Sequence, residues 1–420
     1  MAADLAVVGA GAAGLMTAIA AARTRLSGGQ ASPRRIILFD TRQKIGAKIL
    51  ISGGTRCNVT NRQVYPSDYE GGPGHFVKHV LEAFTPEETI HFFEAIGVPL
   101  VLEPTGKYFP TTHSGKTVLE ALLKEVKRLD IDLKTGVRIT GIEKDESRPY
   151  PFHLIGENNF ETMARRVVLT TGGLSYPETG SDGTGYGIAT SFGHSVTSTS
   201  PALTPLLTND PDWTALTGIA LEAKLSFFRR GRKEKETAGS FLFTHFGFSG
   251  PAVLDVSRHF ASSKKEEGPR LEANFIPFYN GETLKKSLEE AASSHPQKAI
   301  KSFITEIFLL PARFVDTLLK KAGLDAGLTL RRLRERDRGR LIHSLLHTPL
   351  EVTGVYGYKK AEVTAGGVDL REIKVQTMES KIVPGLYFAG EILDVDGRIG
   401  GFNFQWAWSS GALAGSSAAS

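Results

Sequence analysis

Apolar positions in the first forty residues fall into two short unbroken runs, 5–8 and 35–39, with a glycine cluster and an alanine-rich stretch between them. Short unbroken apolar runs read as buried strands, and the alanine-rich stretch to Arg25 reads as a closely packed helix. The unit is therefore strand–helix–strand, with Gly28, Gly29 and Pro33 marking the loop before the second strand. Val118, Leu119, Leu122, Leu123, Val126 and Leu129 recur at helical intervals and predict one apolar helix face. Four or five short strand patterns fill 132–171, ending in Val167, Val168 and Leu169 before Gly172 and Gly173. Beyond residue 198 the texture changes. Strands are predicted at 223–228 and 240–243 around a charged hairpin tip at 229–236. Helices are predicted at 283–292, 298–308, 313–322 and 330–346, and 352–357 reads as a returning strand. At 385–414 the pattern is again strand, glycine loop, helix. Nucleotide-binding texture thus occurs at both ends, with two different insertions between them.

Composition narrows the class. Of 420 residues, 41% are hydrophobic and 23% charged, which excludes a disordered chain. No apolar run reaches the roughly 20 residues of a membrane helix. The apolar start, 5–19, is broken by small residues and lacks a basic leader, so a cytoplasmic protein without membrane contact is expected. Cys57 is the one cysteine, excluding intramolecular disulfides, dithiol redox pairs and cysteine-based zinc sites; no metal is expected. The 45 glycines are an excess that suggests loops where backbone approaches a ligand. A net charge of +5 permits an anionic partner without requiring one.

Gly9, Gly11 and Gly14 lie between the first strand and its helix, and Asp40 closes the second strand. In that context Gly9 permits the tight turn, Gly11 admits a pyrophosphate, Gly14 allows close helix–strand packing, and Asp40 accepts from ribose hydroxyls. Helix N–H groups and the helix dipole favour the phosphates. FAD is favoured over NAD by a second loop, in which a strand at 385–389 runs into Gly390, Glu391, Asp394, Asp396, Gly400 and Gly401 ahead of a helix. Carboxylates there suit a ribityl chain, and the helix N-terminus suits the pyrimidine edge of a flavin. The strand-rich 132–171 also suits the meander of FAD domains.

The segment 49–61, ILISGGTRCNVTN, resembles the signature of the BaiN/YhiN-like, or aminoacetone-oxidase-like, FAD-dependent oxidoreductases. Blocks at 171–180, 242–257 and 390–411 agree with it. The resemblance implies an α/β fold with a discontinuous Rossmann-like FAD domain at 1–197 and 358–420. It also implies an inserted β-barrel at 198–275 and 348–357, and a nested helical domain at 276–347. Carried over, it places Gly9, Gly11, Ala12, Ala13, Gly14 and Asp40 on the ADP half, with Val137 at the adenine. Lys48, Gly53, Gly54, Arg56 and Asn58 would line the flavin or its phosphates. Gly390, Glu391, Asp394, Gly401, Phe402 and Asn403 would surround the ribityl chain and ring.

Other residues have two readings each. Cys57 reads as a small buried hydrophobe rather than a redox centre. His245, in a polar glycine-rich turn, is a candidate proton donor or a helix cap, and Tyr108 a weaker candidate acid or a packed aromatic. Six arginines between 331 and 340 face only Glu335 and Asp337; they read as a solvated helix face or, through Arg332, Arg336 and Arg340, as an RNA contact. The expected activity is hydride transfer from NAD(P)H through FAD to an electron-poor C=C bond, with uridine of ribosomal RNA as one acceptor. Alternatives are steroid-like enone reduction, amine oxidation, or flavin binding without turnover.

Overall fold

The computed structural model describes residues 2–27 and 35–420. The expected loop at Gly28, Gly29 and Pro33 lies outside the described residues. The chain divides into two compact units, one of residues 2–200 with Glu362–Ser420 and one of Pro201–Ala361.

In the first unit the sequence's short apolar runs become adjacent parallel strands. Strand β1 (Ala2–Val8), helix α1 (Ala12–Ser27) and strand β2 (Ile36–Asp40) form the opening strand–helix–strand. β1 pairs in parallel with β2 on one side and with the strand Glu161–Leu169 on the other. Asp132–Thr135 extends the parallel sheet beyond β2, and Leu386–Phe388 extends it beyond Glu161–Leu169. Ile139–Lys144 and Phe152–Gly156 form an antiparallel meander onto the first half of Glu161–Leu169. The register aligns Val8 with Phe39 and Leu169, Leu169 with Phe388, and Asp40 with Thr135. All the parallel strands therefore end at one edge, where open α/β sheets bind ligands. Val7, Leu38, Val167 and Val168 are fully or almost fully buried, as strands covered on both faces must be. The C-terminal helix Phe402–Ala419 crosses α1 so closely that a Cβ at Gly415 would lie 2.2 Å from the Thr17 carbonyl oxygen.

The second unit has a seven-stranded antiparallel sheet. Its order is Thr348–Leu350, Arg270–Asn274, Ala220–Arg229, Arg232–Thr244, Gly247–Ser249, Leu206–Leu207, Gly354–Val355. The helices Gly281–Ser294, Ile300–Ile307, Ala312–Ala322 and Glu335–Leu346 share a core with it. Phe314 lies 4.8 Å from Phe275 and 5.8 Å from Phe243, ring to ring.

Two local expectations change. The charged segment 229–236 is not a hairpin tip: the turn is only Arg230 and Gly231, at φ of +52° and +75°, and residues 232–236 continue the strand. Two positive φ values match the right-handed twist of long flanking strands. The helix expected over 330–346 is two elements, a 3₁₀ turn Leu330–Arg332 and an α-helix that starts only at Glu335. The arginines therefore do not share one helix face.

Candidate functional site

The residues after the parallel strands build the ADP half. The Gly9 N–H donates to the Phe39 carbonyl at 2.8 Å, joining the ends of β1 and β2. A Cβ at Gly14 would lie 1.8 Å from the Gly9 oxygen, and one at Gly9 would lie 2.6 Å from the Thr170 oxygen. Glycine is obligatory at both. Nothing lies within 4 Å of a Cβ built at Gly11, so the cradle is open there. The Gly11 carbonyl accepts the first helical bond, from Leu15, at 2.9 Å, and the N–H groups of Ala12, Ala13 and Gly14 have no intrahelical partner. The Asp40 carboxylate lies against this loop, accepting from the Ala10 N–H and the Arg42 N–H, each at 2.8 Å. Burial raises the Asp40 pKa, against those two amide bonds and the Arg42 charge. Val137 donates its N–H to the Asp40 carbonyl at 2.9 Å. The structure thus brings Gly9, Gly11, Gly14, Asp40 and Val137 to one edge, around space that an adenosine pyrophosphate fits.

The second loop reaches the same place from the C-terminal half. Gly390 follows Leu386–Phe388, and a Cβ on it would lie 2.6 Å from the Ala13 Cβ. Its N–H donates to Ser410 Oγ at 2.9 Å, and Trp406 Nε1 donates to its carbonyl at 3.1 Å. Glu391 and Lys48 are paired with each other, Nζ to Oε2 at 2.7 Å. Lys48 also donates to Ser175 Oγ at 2.7 Å and Ser181 Oγ at 3.3 Å. Glu391 Oε1 accepts from Ser175 Oγ at 2.6 Å and the Thr364 N–H at 3.0 Å. Ser175, Ser181 and Thr364 were not singled out by sequence reasoning. Both serines follow the glycines at 172 and 173, and that placement was the available signal.

Arg56 is half-exposed, bonded to Glu103 Oε1 at 2.6 Å and stacked 4.0 Å from the Phe109 ring centre. Gly53, Gly54, Thr55 and Cys57 all have φ between +55° and +71°, which coils this loop toward Asn58. Asp394 Oδ2 accepts from Thr197 Oγ1 at 3.0 Å. Gly401, at φ +94°, caps the C-terminal helix. The Phe402 ring is fully buried under Arg398, 4.1 Å away, so only its backbone is offered to a ligand. The Asn403 amide holds the Gly397 peptide from both sides, at 2.7 and 2.8 Å. Asn58 is the exception to this saturation: its Oδ1 is buried without a hydrogen-bond partner. Thr171 Oγ1 is in the same state. Two orphaned polar atoms beside an open phosphate loop fit a bound dinucleotide.

The remaining candidates lie elsewhere. Cys57 is fully buried, and burial pushes its thiol up to about 12, against a bond from Ser52. Tyr108 sits half-buried in the strand Lys107–Pro110. His245 belongs to the second unit, exposed in a two-residue turn between Arg232–Thr244 and Gly247–Ser249, its ring 4.9 Å from Phe246. It does not cap the helix Pro251–Ala261, whose N-cap is Gly250. Arg331, Arg332, Arg334 and Arg336 are exposed. Arg338 pairs with Glu289 at 3.1 Å. Arg340 bonds to Asp337 at 2.5 Å and to the Ala322 and Gly323 carbonyls at 3.3 Å, closing the end of the helix Ala312–Ala322. Among the described residues no cluster suited to a metal ion occurs, and no helix is long and apolar enough to cross a membrane.

A parallel sheet with a glycine loop, an acid on the second strand and a second loop from the C-terminal half defines a dinucleotide-binding protein of the flavoprotein class. The chain belongs to the HI0933-like Rossmann family, whose description "HI0933-like protein Rossmann domain" matches residues 3–417. A protein of Escherichia coli named ribosomal RNA dihydrouridine synthase is 35% identical over 410 residues, 97% of this chain and 96% of that one. A 3-dehydro-bile acid delta(4,6)-reductase of Clostridium scindens is 33% identical over 415 residues, 98% of each. The solved 3-ketosteroid-delta4-(5alpha)-dehydrogenase of Rhodococcus jostii has the same fold at a TM-score of 0.50 and 15% identity, covering 100% of this chain and 97% of that one. The family places the chain among FAD-dependent oxidoreductases.

Proposed function

We propose that this protein reduces the C5=C6 bond of uridine in ribosomal RNA, with NAD(P)H as hydride donor and a proton completing dihydrouridine. The observation that carries the reading is the full-length likeness, at 35% identity, to a protein named for that reaction. The four exposed arginines at 331, 332, 334 and 336 support it, because charges free of acidic partners can neutralise phosphates.

FAD, when bound, supplies a two-electron carrier that accepts hydride from the nicotinamide and passes it on. The chain's own part is to hold the adenosine end on Asp40, the pyrophosphate on the N–H groups after Gly11, and the ribityl chain and ring between the 48–58 and 390–403 segments. His245 is the acid that protonates the neighbouring carbon, and its replacement by glutamine should cost about 10²–10⁴ in rate while FAD content is unchanged. No second GxGxxG follows Gly172 and Gly173, so the nicotinamide and the acceptor would use the same flavin in turn, giving ping-pong kinetics.

The 33% identity to the bile-acid reductase favours a second reading, reduction of a steroid-like enone. One experiment separates the two. The purified holoprotein is given NAD(P)H with either unmodified ribosomal RNA or a 3-oxo-4-ene steroid, and each product is measured. Dihydrouridine formation supports the proposal. Enone turnover with intact uridine overturns it.

A further inference from the structure

Asn58 and the start of the C-terminal helix form one unsatisfied polar pair. Asn58 is 8% exposed, and its Oδ1 is buried with no partner. Facing it is Gly401, the N-cap of the 18-residue helix Phe402–Ala419. A Cβ at Gly401 would lie 2.8 Å from Asn58 Oδ1 and 2.7 Å from the Thr60 carbonyl oxygen. No side chain can stand between the amide and the helix end. Leaving a buried acceptor unmade costs about 1–3 kcal/mol, so a donor is wanted there. The first helix N–H groups, beginning at Phe402, want an acceptor, and the helix dipole favours partial negative charge on it. The complementary ligand edge is therefore a donor flanked by carbonyls, as in a cyclic imide.

We propose that Asn58 Oδ1 accepts the N3–H of the flavin ring while the N-terminal amides of Phe402–Ala419 take an adjacent ring carbonyl. The assignment rests on FAD being the cofactor. Uracil carries the same imide edge, but Asn58 and Gly401 lie in the unit that carries the phosphate loop, which favours the cofactor. Asn58 is then a positioning residue. It fixes the in-plane orientation of the ring, and the helix end stabilises the negative charge that the pyrimidine edge gains on reduction.

The test is affinity for FAD and for 3-methyl-FAD, whose methyl group replaces the donor, each titrated into the full-length apoprotein and followed by flavin fluorescence. Wild type should bind 3-methyl-FAD at least about tenfold more weakly than FAD, because donor and acceptor are lost together. Asn58→Ala should bind FAD about five- to thirtyfold more weakly and should no longer distinguish the two flavins. Equal affinity of wild type for both, or a methyl penalty that persists in Asn58→Ala, overturns the assignment. The wild-type comparison stands even if the variant fails to fold. A protein that binds FAD but ignores the methyl group refutes this contact alone, whereas one that binds no FAD refutes the cofactor reading beneath it.

Discussion

Replacing Gly11 by valine separates the folding role of the phosphate loop from its binding role. Nothing lies within 4 Å of a Cβ at Gly11, and its φ lies outside the left-handed region, so the apoprotein can hold the side chain. Its expected cost is that of a poor residue at a helix N-cap, about 1 kcal/mol. The same space is where the pyrophosphate must come, so FAD binding should be lost. The whole linkage stabilisation goes with it, about 2.7 kcal/mol when free FAD stands at a hundred times its dissociation constant. Gly14→Ala is the contrast. Its Cβ would stand 1.8 Å from the Gly9 carbonyl oxygen, so β1 and α1 must part and the apoprotein should lose about 3 kcal/mol or more. Urea unfolding with and without excess FAD, beside flavin absorbance of the purified proteins, measures both terms. Gly11→Val that retains stoichiometric FAD, or that destabilises the apoprotein as much as Gly14→Ala, would refute the reasoning.

Three further outcomes are expected. Cys57, fully buried with its thiol pushed up to about 12, should resist iodoacetamide at pH 8 in the native protein, and Cys57→Ser should keep FAD and most of the rate; an FAD-loaded variant without turnover would make the thiol catalytic. Glu125, 6% exposed and bonded to Arg128 at 2.7 Å and Arg23 at 2.6 Å, has its carboxyl held down from 4.5 to about 2, chiefly by Arg128. A depressed carboxyl stabilises above its unfolded value, so about 2–3 kcal/mol should be lost as pH falls from 4.5 to 2; equal acid sensitivity of Glu125→Gln in urea unfolding would contradict this. Replacing Arg331, Arg332, Arg334 and Arg336 with glutamine should flatten the log–log salt dependence of RNA binding from a slope of roughly −2 to −3 toward zero, at about −0.7 per phosphate contact on single strands. FAD content should not change, and a slope equal to wild type would leave these arginines as a solvated face.

The arginine set shows where sequence reading stops. Arg332, Arg336 and Arg340 look equivalent at helical spacing, yet Arg340 is spent on Asp337 and on two carbonyls at the end of the preceding helix. Arg332 lies before the helix begins. Tertiary partners decided both, and spacing carries no record of them. The phosphate loop was legible because its chemistry is local: Gly9, Gly14 and the closing Asp40 each answer a steric or polar demand a few residues away. The Lys48–Glu391 pair was legible as two site residues but not as a pair. Its members lie on opposite arms of a discontinuous unit, and only the sheet order brings those arms together. The turn at Arg230 and Gly231 was hidden because a charged, exposed strand looks like a loop by polarity alone.

The account turns on the acceptor. Dihydrouridine should be mapped by mass spectrometry in ribosomal RNA from cells carrying and lacking this gene, with the deletion complemented by wild type and by Gly11→Val. The account predicts one dihydrouridine that disappears on deletion, returns with the wild-type protein and stays absent with the variant that cannot hold FAD. An unchanged dihydrouridine map, from a protein that is yellow and oxidises NAD(P)H with an enone, would contradict it.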